Sequence, residues 1–331
     1  MKHIPVLAVD AGATNCRAVI CDEQGKVLGY RQGGACNHQN IGADSTGTAL
    51  LSVLSSLVPR DQYPLHVKTA VFGMAGLDTD QDRAILETVV REALKQSGIL
   101  AEQVLLDNDG IMTLLGAVRG ETGVLVVCGT GSIACGITRD GKRARAGGWG
   151  HRIGDEGSGY AIGKAALVHV LQSYDGREKI SKISDSVLQE LSLSNPEELM
   201  AWVYSSEYSI DRVAALTSVI SELGEEGDWK ARSILQEAGR ELAKMALAVI
   251  ENLHLRQVGF DMVLSGGVLR QSRVVREQLI ETVRQNCPAV RIVTPRYEPI
   301  CGVVLSGLRA LNIDQPKILD RLSQELSLFG S

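Results

Sequence analysis

Apolar positions along this chain fall into two rhythms, and both recur. Near the N-terminus short apolar runs alternate with polar turns: Val6–Val9, Arg17–Cys21 and Val27–Arg31 read as strands, with Asp22-Glu23-Gln24-Gly25 as the turn between the last two. A helical period follows from about Ser45 to Leu57, then a strand at Lys68–Phe72. The next helix carries Ile85, Leu86, Val89, Val90 and Leu94 on one stripe, with Asp78 or Thr79 as its cap. Gln103–Leu106 predicts a further strand, and Asp107-Asn108-Asp109-Gly110 leads into a short helix. From Gly123 the pattern restarts with an apolar run, a glycine loop and a second strand, continuing to Trp149. Helical periods then run at about 159–173, 182–191, 197–205 and 211–223, with Trp229–Asn252 the longest. A strand and loop at Met262–Gly267, a helix, a strand at Val290–Val293 and a final helix near Cys301–Leu311 complete the chain.

The restart places a domain boundary near Arg119–Thr122, giving domains of 1–119 and 120–331, with the last helix available to pack back on the first. At 331 residues each half can bury its own core. A hydrophobic fraction of 44% with 22% charged residues is that of a soluble globular protein. A net charge of −5 leaves no basic footprint for nucleic acid, and aromatics at 4% give little base stacking. Met1-Lys2-His3-Ile4-Pro5 carries no signal-peptide pattern, and no apolar run is long enough for a bilayer, so a cytoplasmic protein without a membrane partner is expected. The seven cysteines form no Cys-x-x-Cys pair, which argues against a disulfide framework or zinc site and for small buried hydrophobes.

Two glycine loops carry the chemistry. The first is Asp10-Ala11-Gly12-Ala13-Thr14-Asn15 and the second Cys128-Gly129-Thr130-Gly131-Ser132; each follows an apolar strand and precedes another that turns at a Gly-Lys pair. Gly129 to Ala134 fits G-x-G-x-x-A, but a dinucleotide fold needs a helix there, and the following residues read as a strand and hairpin. No Walker P-loop occurs. The loops instead suit a nucleotide triphosphate held by hairpin turns, with Thr14, Asn15, Thr130 and Ser132 donating to phosphate and Asp10 holding Mg²⁺ through water.

Asp109, at a strand end, suits a base that accepts a hydroxyl proton during phosphoryl transfer; the competing reading is a helix cap. Gly147 to Tyr160 holds six glycines among polar residues, which implies unusual dihedrals or close backbone approach. Its carboxylates Asp155 and Glu156 match either sugar hydroxyls or a helix cap, and Trp149 either walls a pocket or packs. His151 reads as a structural hydrogen-bonder.

These segments, with Asn37-His38, Gly73-Met-Ala-Gly76 and Leu264-Ser-Gly-Gly-Val268, resemble the N-acetylglucosamine kinase group in the BadF/BadG-type branch of the actin-like ATPase and sugar kinase superfamily. The resemblance covers nearly the whole chain, and the Gly147–Ser158 segment is its most specific piece. It implies an α/β fold of two RNase H-like domains closing over a nucleotide and sugar cleft. It assigns ATP phosphates to Gly12, Thr14, Asn15 and Gly129–Ser132, the adenosine part to Gly266 and Gly267, and Mg²⁺ to Asp10. Asp109 becomes the base on the sugar 6-hydroxyl; Asn37, Gly76, Trp149, Gly150 and Asp155 become substrate-binding residues. A homodimer is common in that group. The zinc-binding cysteines of the repressor/glucokinase group and the iron–sulfur cysteines of dehydratase activators are not recognisable. An ATP-dependent kinase of an amino sugar is therefore expected, N-acetylglucosamine first, with glucosamine and N-acetylmuramic acid as alternatives. A sensor or an ATP-driven activator on the same fold is the alternative of another class.

Overall fold

The computed structural model describes residues 4–12, 14–57, 59–295, 297–313 and 317–329, with Ala13 of the first glycine loop and Met1–His3 of the start outside them. The chain forms two compact units, Met1–Thr122 with Thr294–Ser331, and Gly123–Val293.

The first unit begins with β1 (Ile4–Ala11), β2 (Cys16–Cys21) and β3 (Val27–Gly33), then α1 (His38–Ile41), α2 (Ala43–Ser55), β4 (Leu65–Met74), α3 (Asp80–Ser97), β5 (Ile99–Asn108) and α4 (Asp109–Ala117). Its sheet has the order β3-β2-β1-β4-β5; β1 to β3 are antiparallel, while β4 runs parallel to both β1 and β5. Central strand β1 is buried from Val6 to Ala11, which is why its sequence is a continuous apolar run rather than an alternation. The cap expected at Asp78 or Thr79 is Thr79, in a capping box with Asp82.

The second unit repeats this plan with β6 (Gly123–Cys128), β7 (Ser132–Ile137) and β8 (Arg143–Gly147). It continues through α5 (Gly159–Tyr174), α6 (Ile183–Glu190), α7 (Pro196–Val203), α8 (Ile210–Ala215), α9 (Thr217–Glu225) and α10 (Trp229–Asn252). It ends with β9 (Phe260–Ser265), α11 (Gly267–Gln271), α12 (Arg273–Asn286) and β10 (Val290–Val293). The sheet order β10-β9-β6-β7-β8 mirrors the first sheet, with β6 parallel to β9 and β9 to β10. The period read across 211–223 is broken into α8 and α9 at Leu216. Ser132–Ile137 is a strand, so the helix that a dinucleotide fingerprint needs is not there.

The chain's last stretch, α13 (Pro299–Ala310) and α14 (Lys317–Ser327), belongs to the first unit. The two compact units therefore part at Thr122/Gly123 and again at Val293/Thr294; the sequence reading puts a boundary near Arg119–Thr122 and leaves the last helix available to pack back on the first domain. The physical reason is the apolar face of α13: Ile300, Val303, Val304, Leu305 and Leu308 are buried, and the helix packs on α4, β1 and β4. Helix α14 was not foreseen; it lies by edge strand β3, where Glu325 accepts the Val27 N–H at 3.0 Å and Phe329 stacks on Tyr30. All seven cysteines are buried and free, as the small apolar reading expects. No described helix is long and apolar enough to cross a membrane.

The α13–α4 contact is close because Gly302 meets Gly116 there; a Cβ on Gly302 would come 1.8 Å from the Met112 carbonyl oxygen. Since α4 begins at Asp109, this contact fixes the helix that carries the expected base. Gly302→Ala should destabilise the protein by about 1–3 kcal/mol through overpacking. Urea denaturation checks it, and an unchanged midpoint would refute the packing argument.

Candidate active site

In the first unit the candidate residues gather at the C-terminal ends of β1, β4 and β5, the edge where parallel sheets present their ligand sites. Hydrogen bonds tie three loops together there. The Gly12 N–H donates to the Asn15 carbonyl at 2.9 Å, closing the first glycine turn. The Cys36 N–H donates to the Gly12 carbonyl at 3.1 Å, and the Ala75 N–H to the Ala11 carbonyl at 2.8 Å. Asn37 and Gly76 are thereby drawn to one place: a Cβ on Gly76 would come 2.6 Å from Asn37 Oδ1. Thr14 is exposed on the turn.

Asp10 is buried at 6% exposure, an expensive position for a carboxylate, and β-pairing supplies the answer. Register places Asp10 opposite Arg17 on β2, and Arg17 Nη2 donates to Asp10 Oδ2 at 3.0 Å. Arg17 also donates to Glu298, just before α13, so one guanidinium bridges two carboxylates. Burial raises the Asp10 pKa, and the Arg17 cation offsets part of that rise.

Asp109 is the first residue of α4, but its neighbour does the capping: Asn108 Oδ1 accepts the Gly110 N–H at 2.8 Å. The Gly110 N–H also lies 2.9 Å from Asp109 Oδ1. Asp109 keeps some solvent contact, yet loss of hydration raises its pKa from 3.8 to about 6, helped by the like charges of Asp10 and, less, Asp78. Around it, Asp78 accepts from Asn108 Nδ2 at 3.3 Å and from Gln39 Nε2 at 3.4 Å, which joins the Asn37 loop to the start of α4. His38 is held by Asp82 at 2.8 Å.

In the second unit Cys128 pairs with Ser132 across the turn Gly129-Thr130-Gly131. The Gly147–Ser158 segment folds onto that turn. Asp155 Oδ1 accepts the Ser132 N–H at 3.2 Å; Ser132 Oγ donates to the Glu156 carbonyl at 2.8 Å; the Gly159 N–H donates to the Gly129 carbonyl at 2.8 Å. Ser158, not Asp155 or Glu156, caps α5. Trp149 is 61% exposed beneath the Arg145 guanidinium, 4.9 Å from its ring centroid, and His151 meets Tyr160 edge to face. Gly266 sits against Cys128, at a φ of 99° with no room for a side chain, and Gly267 opens α11.

Residues 7–307 match the BadF/BadG/BcrA/BcrD ATPase family. The chain belongs to that family. An N-acetylmuramic acid/N-acetylglucosamine kinase of Clostridium acetobutylicum is 30% identical over 306 residues, covering 92% of this chain and 98% of that protein. An N-acetyl-D-glucosamine kinase of Dictyostelium discoideum is 28% identical over 315 residues, with 92% and 98% covered. A crystal structure from Chromobacterium violaceum, described as a candidate N-acetylglucosamine kinase, superposes with a TM-score of 0.64 at 27% identity, covering 92% of this chain and 99% of that one. The two-sheet α/β architecture is thus that of the actin-like ATPase sugar kinases.

Sequence reading gave no site role to four polar groups of this BadF/BadG-type chain that surround the candidate residues. Arg17 pairs with Asp10 and Glu298 with Arg17, the charge of Asp78 acts on Asp109, and Asp211 accepts from Thr130 Oγ1 at 3.2 Å. Only Arg17 left a usable signal, since the hairpin read around the first loop puts it across from Asp10.

Because the folded pKa of Asp109 is raised, its ionisation opposes folding. Asp109→Asn should therefore raise the melting temperature, with a gain that grows as pH rises from 3.8 to about 6 and levels off above. A melt series against pH checks this; a gain that is the same at every pH would contradict the raised pKa.

Proposed function

We propose that the protein is an ATP-dependent kinase that phosphorylates the 6-hydroxyl of an amino sugar, with N-acetylglucosamine as the first candidate. Asp109 carries this reading: a carboxylate with a pKa of about 6 is ionised near neutrality yet basic enough to take a hydroxyl proton as the oxygen attacks. The names of the two relatives, both kinases of N-acetylated sugars, supply the substrate class. Glucosamine and N-acetylmuramic acid are the alternative acceptors.

In this reading Gly12, Thr14 and Asn15 of the first unit and Gly129–Ser132 of the second donate to ATP phosphates, and Gly266 and Gly267 approach the adenosine part. Asn37, Gly76, Trp149, Gly150 and Asp155 bind the sugar. Asp10 and Asp109 are hard oxygen donors, and the charge of Asp10 raises the proton affinity of Asp109, a repulsion that a divalent cation relieves, so Asp10 fits Mg²⁺ held through water. When bound, Mg²⁺ neutralises charge on the transferring phosphoryl group. Asp109 orients the hydroxyl and receives its proton, and the Asn108 cap and Gly302 contact keep its helix in place. The setting is the cytoplasm, where ATP is available.

ADP release measured with a panel of N-acetylglucosamine, glucosamine, N-acetylmuramic acid and glucose tests the function. Sugar-dependent release supports a kinase, whereas slow hydrolysis that ignores every sugar points to an activator or sensor. Asp109→Asn should lower kcat by about 10²–10⁴-fold, as loss of a general base does. The wild-type kcat/KM should fall on the acid side with an apparent pKa of about 6. Asn37→Ala should raise the sugar KM with little change in the KM for ATP; an unchanged sugar KM removes Asn37 from the pocket.

A further inference from the structure

Asp155 has the one backbone conformation in the Gly147–Ser158 segment that its side chain makes costly: φ is 59°, the left-handed region, at a residue with a Cβ. The structure around it shows what that pose achieves. The carboxylate reaches the second glycine turn, where Oδ1 accepts the Ser132 N–H at 3.2 Å. It lies so close to Gly131 that a Cβ there would come 3.0 Å from Oδ2 and 3.1 Å from Oδ1. At its other end the carboxylate is stabilised by the backbone N–H of Gly150, beside Trp149. His151, Glu156 and Cys128 are the titratable groups that interact with it electrostatically, and burial raises the Asp155 pKa while the Ser132 N–H opposes that rise. One anionic side chain thus bridges the stretch read as sugar-binding and the turn read as phosphate-binding.

A carboxylate on the Ser132 N–H and a phosphate on the same N–H compete for one donor, and their like charges repel. A sugar hydroxyl that engages the carboxylate gives it another partner and releases the donor. We infer that Asp155 couples the two substrates: it keeps a phosphate group off the Gly129–Ser132 turn until a sugar hydroxyl draws its carboxylate away. This rests on the kinase reading above. It gives a reason for the strained backbone, and it limits wasteful hydrolysis of ATP in the absence of sugar. Coupling of this kind is reciprocal, so nucleotide must also weaken the hold of Asp155 on Ser132 and favour sugar binding by the same factor.

Asp155→Asn and Asp155→Gly are well suited to a test, because Asn and Gly both accept a φ of 59° and the segment's fold is retained. Unaltered circular dichroism and thermal melts verify that. Calorimetric titration of sugar-free protein with Mg²⁺ and a non-hydrolysable ATP analogue is the primary measurement. In wild type, N-acetylglucosamine should tighten the analogue by a factor within the about 5–150-fold range of two-site coupling. Asp155→Gly, which frees the Ser132 N–H, should bind the analogue tightly without sugar, and Asp155→Asn, which removes the charge but keeps an acceptor, should tighten it less; in both, sugar-independent ADP release and the sugar KM should rise. Equal or weaker analogue binding by both sugar-free variants overturns the coupling, and Asp155 is then a sugar ligand only. Failure of the kinase reading itself is seen separately, in wild-type protein whose ADP release ignores sugars.

Discussion

A buried carboxylate at the end of a central strand sets the terms for the first unit. Asp10 lies on β1, between β2 and β4, where water cannot solvate its charge. Such a group survives only with a partner, and the β1–β2 register provides Arg17 directly opposite. Arg17 in turn engages Glu298, so the residue that opens α13 is tied to the glycine hairpin from 281 positions away in sequence. Helix α13 then packs on β1 and α4, and α4 begins with Asp109. One desolvated charge is therefore connected through the fold to a group whose acidity it alters, since Asp10 is the main charged contributor to the raised Asp109 pKa.

The same connectivity explains what sequence could and could not reveal. Glycine hairpins, apolar strands and the strand-end Asp109 depend on neighbouring residues, and a local pattern reports them. The Thr79 cap was legible for the same reason. Arg17–Glu298 and the return of residues 294–331 to the first unit are tertiary, decided by which apolar face α13 finds, and no period in the sequence encodes that choice. Asp155 is an intermediate case. Its glycine-dense surroundings announced unusual dihedrals, but a left-handed aspartate turned toward Ser132 rather than toward open solvent follows from how the segment folds back on the turn.

The two hairpins differ in length and in charge. Counting from the strand pairs, Ala11 and Cys16 close the first turn and Cys128 and Ser132 the second, so the first is one residue longer. The pair just behind each turn is Asp10–Arg17 in the first and Val127–Ile133 in the second. The repeated sheet thus offers one hairpin with its own buried charge and one whose strands are apolar. In the second unit the anion arrives from outside the hairpin, as Asp155 on the Ser132 N–H.

That difference has a chemical consequence. An acid built into a strand, locked by register and by Arg17, has a fixed position, which suits a group that must hold a cation in place. An acid carried on a loop among glycines, in a backbone conformation it tolerates poorly, has an alternative geometry within reach. In the reading proposed above, the rigid carboxylate organises charge and the displaceable one couples two ligands. One sheet plan, used twice, thus carries a carboxylate held within its hairpin in the first unit and one brought to the turn from a loop in the second.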